Sequence, residues 1–231
     1  MLPDPEFILI VPAAGAGRRM AEDVPKPYLE IAGKTILEHT LRRFTGFVSL
    51  RQIIVATSRG FIQKAEQLRD RIPGRIEFNV VRGGKERQGS VMNALRVANQ
   101  SVGLVAIHDA VRPFISQEEI RQCLDVADKS GAAVLGMPAG DTIKRINEKG
   151  HIVETPDRRS LWQAQTPQIF RLELIGEACE YARRYGYQGT DDSSLVEFLG
   201  KKVTLVGGSG SNFKITYPFD FQMAKMLLDQ K

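Results

Sequence analysis

Five consecutive apolar residues, Phe7-Ile8-Leu9-Ile10-Val11, carry no polar alternation. A half-buried strand alternates and a helix needs more length, so this run predicts a strand covered on both faces, as in a parallel sheet between helices. The next residues sharpen the constraint. Pro12-Ala13-Ala14-Gly15-Ala16-Gly17 are small, so their backbone N–H groups can come close to a ligand. Arg18, Arg19 and Lys26 add cations beside them. Loop amides, guanidinium and ammonium groups all favour anionic oxygens, and the stretch from Phe7 to Leu29 therefore predicts a nucleoside triphosphate site.

Two common phosphate motifs do not fit. Gly15-Ala16-Gly17-Arg18-Arg19 is followed by Met20 where the dinucleotide fingerprint needs its third glycine. Gly33-Lys34-Thr35 imitates the end of a Walker sequence, but Tyr28 takes the place of the leading glycine. The segment reads as a turn, with Thr35-Ile36-Leu37-Glu38 as a helix capping box.

Strands continue to alternate with helices. Apolar runs at 53–56, 76–81, 102–107 and 132–137 read as strands, and the segments 61–71, 88–99 and 117–130 as helices, the last opened by the capping box Ser116-Gln117-Glu118-Glu119. This rhythm predicts right-handed crossovers and an α/β fold with a mostly parallel, Rossmann-like sheet. From about Asp141 to Phe170 the rhythm stops. Residues 142–146 and 151–155 alternate like strands around the turn Asn147-Glu148-Lys149-Gly150, which predicts a hairpin arm standing off the sheet. Helices follow at 172–185 and 191–199, a strand at 203–206, a flexible loop at 207–211, an extended piece at 212–215 and a closing helix at 219–228.

Composition bounds the function classes. A length of 231 residues suits one α/β domain, or one with an extension, better than two, and 42% hydrophobic with 26% charged residues excludes fibrous and disordered classes. Thirty-two Lys and Arg against 27 Asp and Glu leave a net charge of +5, compatible with anionic substrates or nucleic acid. No basic run interleaves aromatics and no zinc-finger spacing occurs, so nucleic acid is not expected as a partner. No apolar run is long enough for a membrane span, and MLPDPEF lacks the pattern of a signal or transit peptide, so the expected location is the cytoplasm. Cys123 and Cys179 fall in amphipathic helical patterns without a C-x-x-C neighbour and read as reduced core residues.

In open α/β sheets ligands gather beyond the carboxyl ends of the strands. There the sequence places Arg82-Gly83-Gly84-Lys85-Glu86-Arg87-Gln88-Gly89-Ser90, either a second nucleotide wall, with Ser90 on a phosphate or sugar, or an ordinary charged loop. His108-Asp109-Ala110-Val111-Arg112-Pro113 follows the fourth strand. Asp109 suits ribose hydroxyls or water on Mg²⁺, with simple capping as the alternative; Arg112 can equally be a surface pair. Asp191-Asp192 suits the N-terminus of a helix better than a metal. His39 and His151 read as structural or solvated and His108 as a strand-end residue, while Trp162 suits packing of the arm and contact with a ligand equally.

The blocks AAGAGRRM, PKPYL, TILEHTL, GGKERQGSV, HDAVRP, DTIKR, LWQAQTPQ, TDDSS and NFKIT run in order from Ala13 to Thr216. Together they resemble the 2-C-methyl-D-erythritol 4-phosphate cytidylyltransferases of the non-mevalonate isoprenoid pathway. The resemblance implies a single domain, 1–231, of the nucleotide-diphospho-sugar transferase type, with an arm at about 141–170 that makes a homodimer with composite sites. It implies that Pro12 to Gly17 wrap CTP, that Arg19 and Lys26 stabilise the transition state, and that Gly84, Lys85 and Ser90 contact base and phosphates. Asp109 falls in the ribose and Mg²⁺ region, and Lys214 at the phosphate-rich centre. Thr142, Arg158 and Thr166 are implied in binding methylerythritol phosphate across the interface, with Arg112 and Thr190 nearby. A sister enzyme acting on ribitol 5-phosphate, or a nucleotide-binding module without turnover, are the rival expectations.

Overall fold

A computed structural model describes residues 4–15 and 24–229. Its first strand, β1 (Phe7–Ala13), is central. Alternation sends Phe7, Leu9, Val11 and Ala13 into one core and Ile8 and Ile10 into another. Residues Phe7 to Val11 are all fully buried, which is why the run carries no polar residue.

After β1 come the hairpin β2 (Glu30–Ile31) and β3 (Lys34–Thr35), α1 (Ile36–Arg42), β4 (Leu50–Thr57), α2 (Ile62–Glu66), β5 (Glu77–Arg82), α3 (Arg87–Leu95), β6 (Leu104–Ile107), α4 (Gln117–Ser130) and β7 (Ala132–Pro138). A second hairpin, β8 (Arg145–Ile146) and β9 (Ile152–Glu154), precedes β10 (Trp162–Arg171). Then follow α5 (Leu172–Arg184), α6 (Ser193–Phe198), β11 (Thr204–Gly207) and α7 (Pro218–Asp229). Seven strands form one sheet in the order β11-β7-β10-β6-β1-β4-β5. Pairings are parallel except those of β10, which runs antiparallel to both β6 and β7. Side chains of α1, α2 and α4 fill one face, and those of α3, α5 and α6 the other. A small third core joins Ile31, Ile36 and Ile215 to Ala224 and Leu228 of α7.

Local signals explain most boundaries. Ala32 and Gly33, at φ of 49° and 73°, make the two-residue turn between β2 and β3, so of the expected turn Gly33-Lys34-Thr35 only Gly33 turns, while Lys34 and Thr35 form β3. Thr35 then caps α1, its Oγ1 accepting from Glu38 N at 3.1 Å; the Glu38 carboxylate turns to Arg42 and Arg71. Ser116 and Glu119 complete the reciprocal box at the start of α4, and Gly131 ends that helix at φ 87°.

Three expectations change. The helix expected over 61–71 is a 3₁₀ turn at Arg59–Phe61, the short α2 and a second 3₁₀ turn at Arg69–Arg71. The helix expected to reach Asn99 ends at Leu95. Gln52 of β4 takes over the next backbone groups, donating to Val97 O at 3.1 Å and accepting from Asn99 N at 2.8 Å. The largest change is in the arm. Trp162 to Phe170 do not stand off the sheet: they belong to β10, between β6 and β7, and Gln165 to Phe170 are buried. The antiparallel hairpin is the short β8–β9 pair.

Candidate active site

The carboxyl ends of β1, β5 and β6 open onto one cleft of about 730 Å³. Pro12 to Gly15, Lys26 and Pro27, Gly84 to Arg87, Ser90, Asp109 to Val111, and Lys214 to Thr216 line it. Four cations, Lys26, Lys85, Arg87 and Lys214, face two carboxylates, Glu86 and Asp109, so among the described residues the lining favours a polyanion. Ala16, Gly17, Arg18 and Arg19 lie outside the described residues.

Glycines let the first two walls meet. A Cβ on Gly83 would overlap that of Ala14, and one on Gly84 would sit 2.8 Å from Gly89 Cα. Ser90, 2% exposed, shapes this wall from within: its hydroxyl donates to Glu86 O at 3.1 Å and accepts from Gly84 N at 3.0 Å. Lys85 stands at the rim of the same loop.

Opposite stands a charge cluster around Asp109. Lys214 Nζ is 3.0 Å and Arg112 Nε 3.2 Å from its Oδ2, and Arg87 Nε is 3.4 Å from its Oδ1. Burial pushes this carboxyl up, but Lys214, Arg87 and Arg112 outweigh it and hold the group far below the usual carboxylate range. The backbone is fixed as well. Asp109 N donates to Thr166 Oγ1 at 3.0 Å, and Thr166 Oγ1 lies 3.1 Å from His108 Nδ1. His108 Nε2 is 3.1 Å from Arg112 O, which can only accept. The proton therefore sits on Nε2, leaving Nδ1 to accept from the threonine hydroxyl. Burial lowers His108 to about 4, so it is neutral near pH 7.

The cations are seated by the segment before α7. Arg112 Nη1 donates to Asn212 O at 2.7 Å, and Asn212 Nδ2 donates to Gln165 Oε1 and Thr166 O at 3.0 and 2.9 Å. Ile215 N donates to Val111 O at 2.9 Å, so Lys214 projects into the cleft beside Asp109. Lys26 Nζ donates to Thr216 O at 2.6 Å.

The structure thus brings together Pro12 to Gly15, Lys26, Gly84, Lys85, Ser90, Asp109 and Lys214. Arg112 and Thr166 are buried directly behind Asp109. Thr142 and Arg158 are exposed at the arm and do not line the cleft, with Arg158 Nη1 donating to Gly140 O at 3.0 Å. Thr190 is exposed in the turn before α6. Sequence reasoning missed Arg87 and Asp192 as partners: Arg87 Nη1 lies 2.5 Å from Asp192 Oδ2 across 105 positions, a separation no local pattern reports. Asp191 does what was expected at a helix start, accepting from Ser194 N at 2.9 Å.

A divalent cation finds no preformed cage here, since no group of three acidic, histidine or cysteine side chains converges among the described residues. One carboxylate beside a polyanion site fits Mg²⁺ that arrives with the phosphates, because Mg²⁺ keeps several waters and needs few protein ligands.

A family model for 2-C-methyl-D-erythritol 4-phosphate cytidylyltransferase matches residues 7–230. The chain belongs to this cytidylyltransferase family. It is similar to the enzyme of that name from Syntrophus aciditrophicus, 42% identical over 98% of this chain and 97% of that protein. The enzyme from Mannheimia succiniciproducens is 40% identical, covering 97% of each. Solved structures agree. The 4-diphosphocytidyl-2C-methyl-D-erythritol synthase of Anaerococcus prevotii superposes with a TM-score of 0.86 at 29% identity, covering 98% of this chain and 99% of that one. The cytidylyltransferase of Thermus thermophilus gives 0.79 at 36%, covering 97% and 99%. The α/β architecture with its mostly parallel sheet is the family's, and the chain is a nucleotidyltransferase.

Proposed function

We propose that the cleft joins CTP to 2-C-methyl-D-erythritol 4-phosphate, giving 4-diphosphocytidyl-2-C-methyl-D-erythritol and pyrophosphate. The supporting observation is the set of fixed cations around Asp109, facing a glycine-lined wall, in a member of this family. An acceptor phosphate oxygen attacks the α-phosphorus, a new P–O bond forms, and the bond to the bridging oxygen breaks as pyrophosphate leaves. A phosphate monoester is already anionic near neutral pH, so this step requires no dedicated base. The obstacle is bringing two polyanions together. Lys26 and Lys214, with Arg19, offset that repulsion and follow the charge that builds on the α-phosphate and leaving group. Asp109 would hold water on Mg²⁺ or the ribose hydroxyls, and the metal, when bound, neutralises phosphate charge. Pro12 to Gly17, Gly84, Lys85 and Ser90 form the nucleotide wall.

The acceptor side is completed by a second copy of the chain. Ile146, Ile152 and Val153 of the arm are 58%, 61% and 58% exposed. A lone two-stranded hairpin is marginal in water, and apolar exposure of this kind suits burial against a partner. Thr142 and Arg158 of one protomer then reach the acceptor in the other, near its Arg112, Thr166 and Thr190. The protein works as one nucleotidyltransferase domain in the cytoplasm, without nucleic acid or membrane. Among the described residues no helix is long and apolar enough to cross a bilayer.

The test is magnesium-dependent pyrophosphate release from CTP, with methylerythritol phosphate and ribitol 5-phosphate offered separately. Preference for the first by orders of magnitude supports the assignment. Preference for ribitol phosphate moves it to the sister reaction, and no release with either leaves only nucleotide binding. Ile152→Ser should turn the dimer into a monomer in sedimentation; a wild-type protein that is monomeric throughout contradicts the composite site.

A further inference from the structure

Arg87 stands between two carboxylates, and its placement is unequal. Its Nη1 is 2.5 Å from Asp192 Oδ2, while its Nε is 3.4 Å from Asp109 Oδ1. The two acids differ in their other company. Asp109 also has Arg112 and Lys214, both on Oδ2. Asp192 is 1% exposed, and Arg87 is its one ion-pair partner among the described residues. A buried carboxylate without a counter-charge is costly, so Asp192 binds the guanidinium tightly. Asp109 lines the cleft, and its Oδ1, whose one ion-pair contact among the described residues is the 3.4 Å one to Arg87, is then held only loosely.

We propose that Asp192 is a positioning residue that draws Arg87 away from Asp109 and keeps Asp109 Oδ1 available to accept from a ribose hydroxyl of the nucleotide. Without the Asp192 charge, the planar fork of Arg87 closes on Asp109 in a bidentate pair, the preferred guanidinium–carboxylate geometry, and occupies that oxygen. Asp192 does not itself line the cleft; it acts through Arg87, which does. The proposal rests on the reading of Asp109 as a ribose ligand.

The readout is discrimination, the ratio of kcat/KM for CTP to that for 2′-deoxy-CTP and for 3′-deoxy-CTP. A hydroxyl bonded to a carboxylate should give the wild type a ratio of roughly 10 to 100 for one of the two analogues. Asp109→Asn tests the underlying reading: if the ratio stays at the wild-type value, Asp109 is not the ribose ligand and the proposal falls with that reading. If Asp109→Asn lowers the ratio, Asp192→Asn decides the proposal, since Asn keeps the shape of Asp and removes its charge, and the Asp192 side chain makes no capping bond to α6. The expected result is a ratio reduced about as far as in Asp109→Asn, with wild-type discrimination returning in the double variant Arg87→Gln/Asp192→Asn. An unchanged ratio in Asp192→Asn, or no return in the double variant, overturns the proposal. Should Asp192→Asn not fold, Arg87→Gln decides: retained discrimination supports the proposal, and loss overturns it.

Discussion

The cleft and the arm use the same chemical groups and put them in opposite settings. Around Asp109, three cations share a carboxylate that is 8% exposed, and Arg87 and Arg112 are also held by Asp192 and by Asn212 O. In the arm, Arg145 pairs with Glu154 across the β8–β9 hairpin while their side chains are 69% and 43% exposed. Water screens the second pair and leaves it little net worth; the first is shielded, so its geometry and charge persist. Apolar residues divide in the same way: Ile8 and Ile10 are sealed under helices, whereas Ile146 and Ile152 face outward. One region is packed by its own chain, and the other leaves its apolar side chains exposed.

The sharpest break of this contrast is Lys214→Ala. It removes a cation from the cleft, and turnover should fall by about 10²–10³ in pyrophosphate release, the scale for loss of one preorganised charge donor. The matching removal in the arm, Arg145→Ala, should leave that rate within about twofold, because an exposed pair contributes little.

A second prediction concerns pH. His108 falls from 6.5 to about 4 on folding because burial disfavours its charged form. Below pH 6.5 the unfolded chain takes up a proton that the folded chain refuses, so stability declines as pH drops from about 6.5 to 4. The full loss is roughly 3 kcal/mol. Denaturant unfolding across that window should show the slope in the wild type and a flatter one in His108→Asn. Asp109, held low, loses its contribution only further into acid, below its ordinary 3.8. Equal slopes in both proteins would deny His108 its buried neutral state.

Glycines sharpen the contrast further. Gly84→Ala forces a methyl against Gly89 Cα, where backbone must move, at a cost of about 1–3 kcal/mol in thermal unfolding and weaker CTP binding. Gly150 in the arm, at φ +78°, has open space around it, so an alanine there meets only the left-handed penalty of about 1 kcal/mol. The smallest effect belongs to Glu154→Ala, below about 1 kcal/mol in the same measurement.

How far these regions were legible in the sequence follows from the range of their interactions. Phe7 to Val11, the Ser116 cap and the Gly33 turn are decided by neighbours a few residues away, and each was readable. β10 was not, because Gln165, Pro167 and Gln168 interrupt any apolar run and the segment read as part of the arm. Their burial is tolerated only through distant partners: Gln168 donates to Asp191 and accepts from Ser193 N, and Gln165 accepts from Asn212. The candidate site divides along the same line. Glycines, Lys26, Asp109 and Lys214 sat in recognisable blocks. The Arg87–Asp192 pair, and the Thr166–His108 bond that fixes the Asp109 backbone, join segments whose proximity only the sheet order creates.

In the proposed reaction the fixed cations act on the transition state and not merely on the bound nucleotide. Lys26→Ala tests it most directly, with single-turnover pyrophosphate release measured beside calorimetric binding of CTP. Loss of about 10²–10³ in rate, with CTP affinity within a few-fold of wild type, is the predicted result. Wild-type turnover at saturating CTP with affinity alone weakened would contradict it.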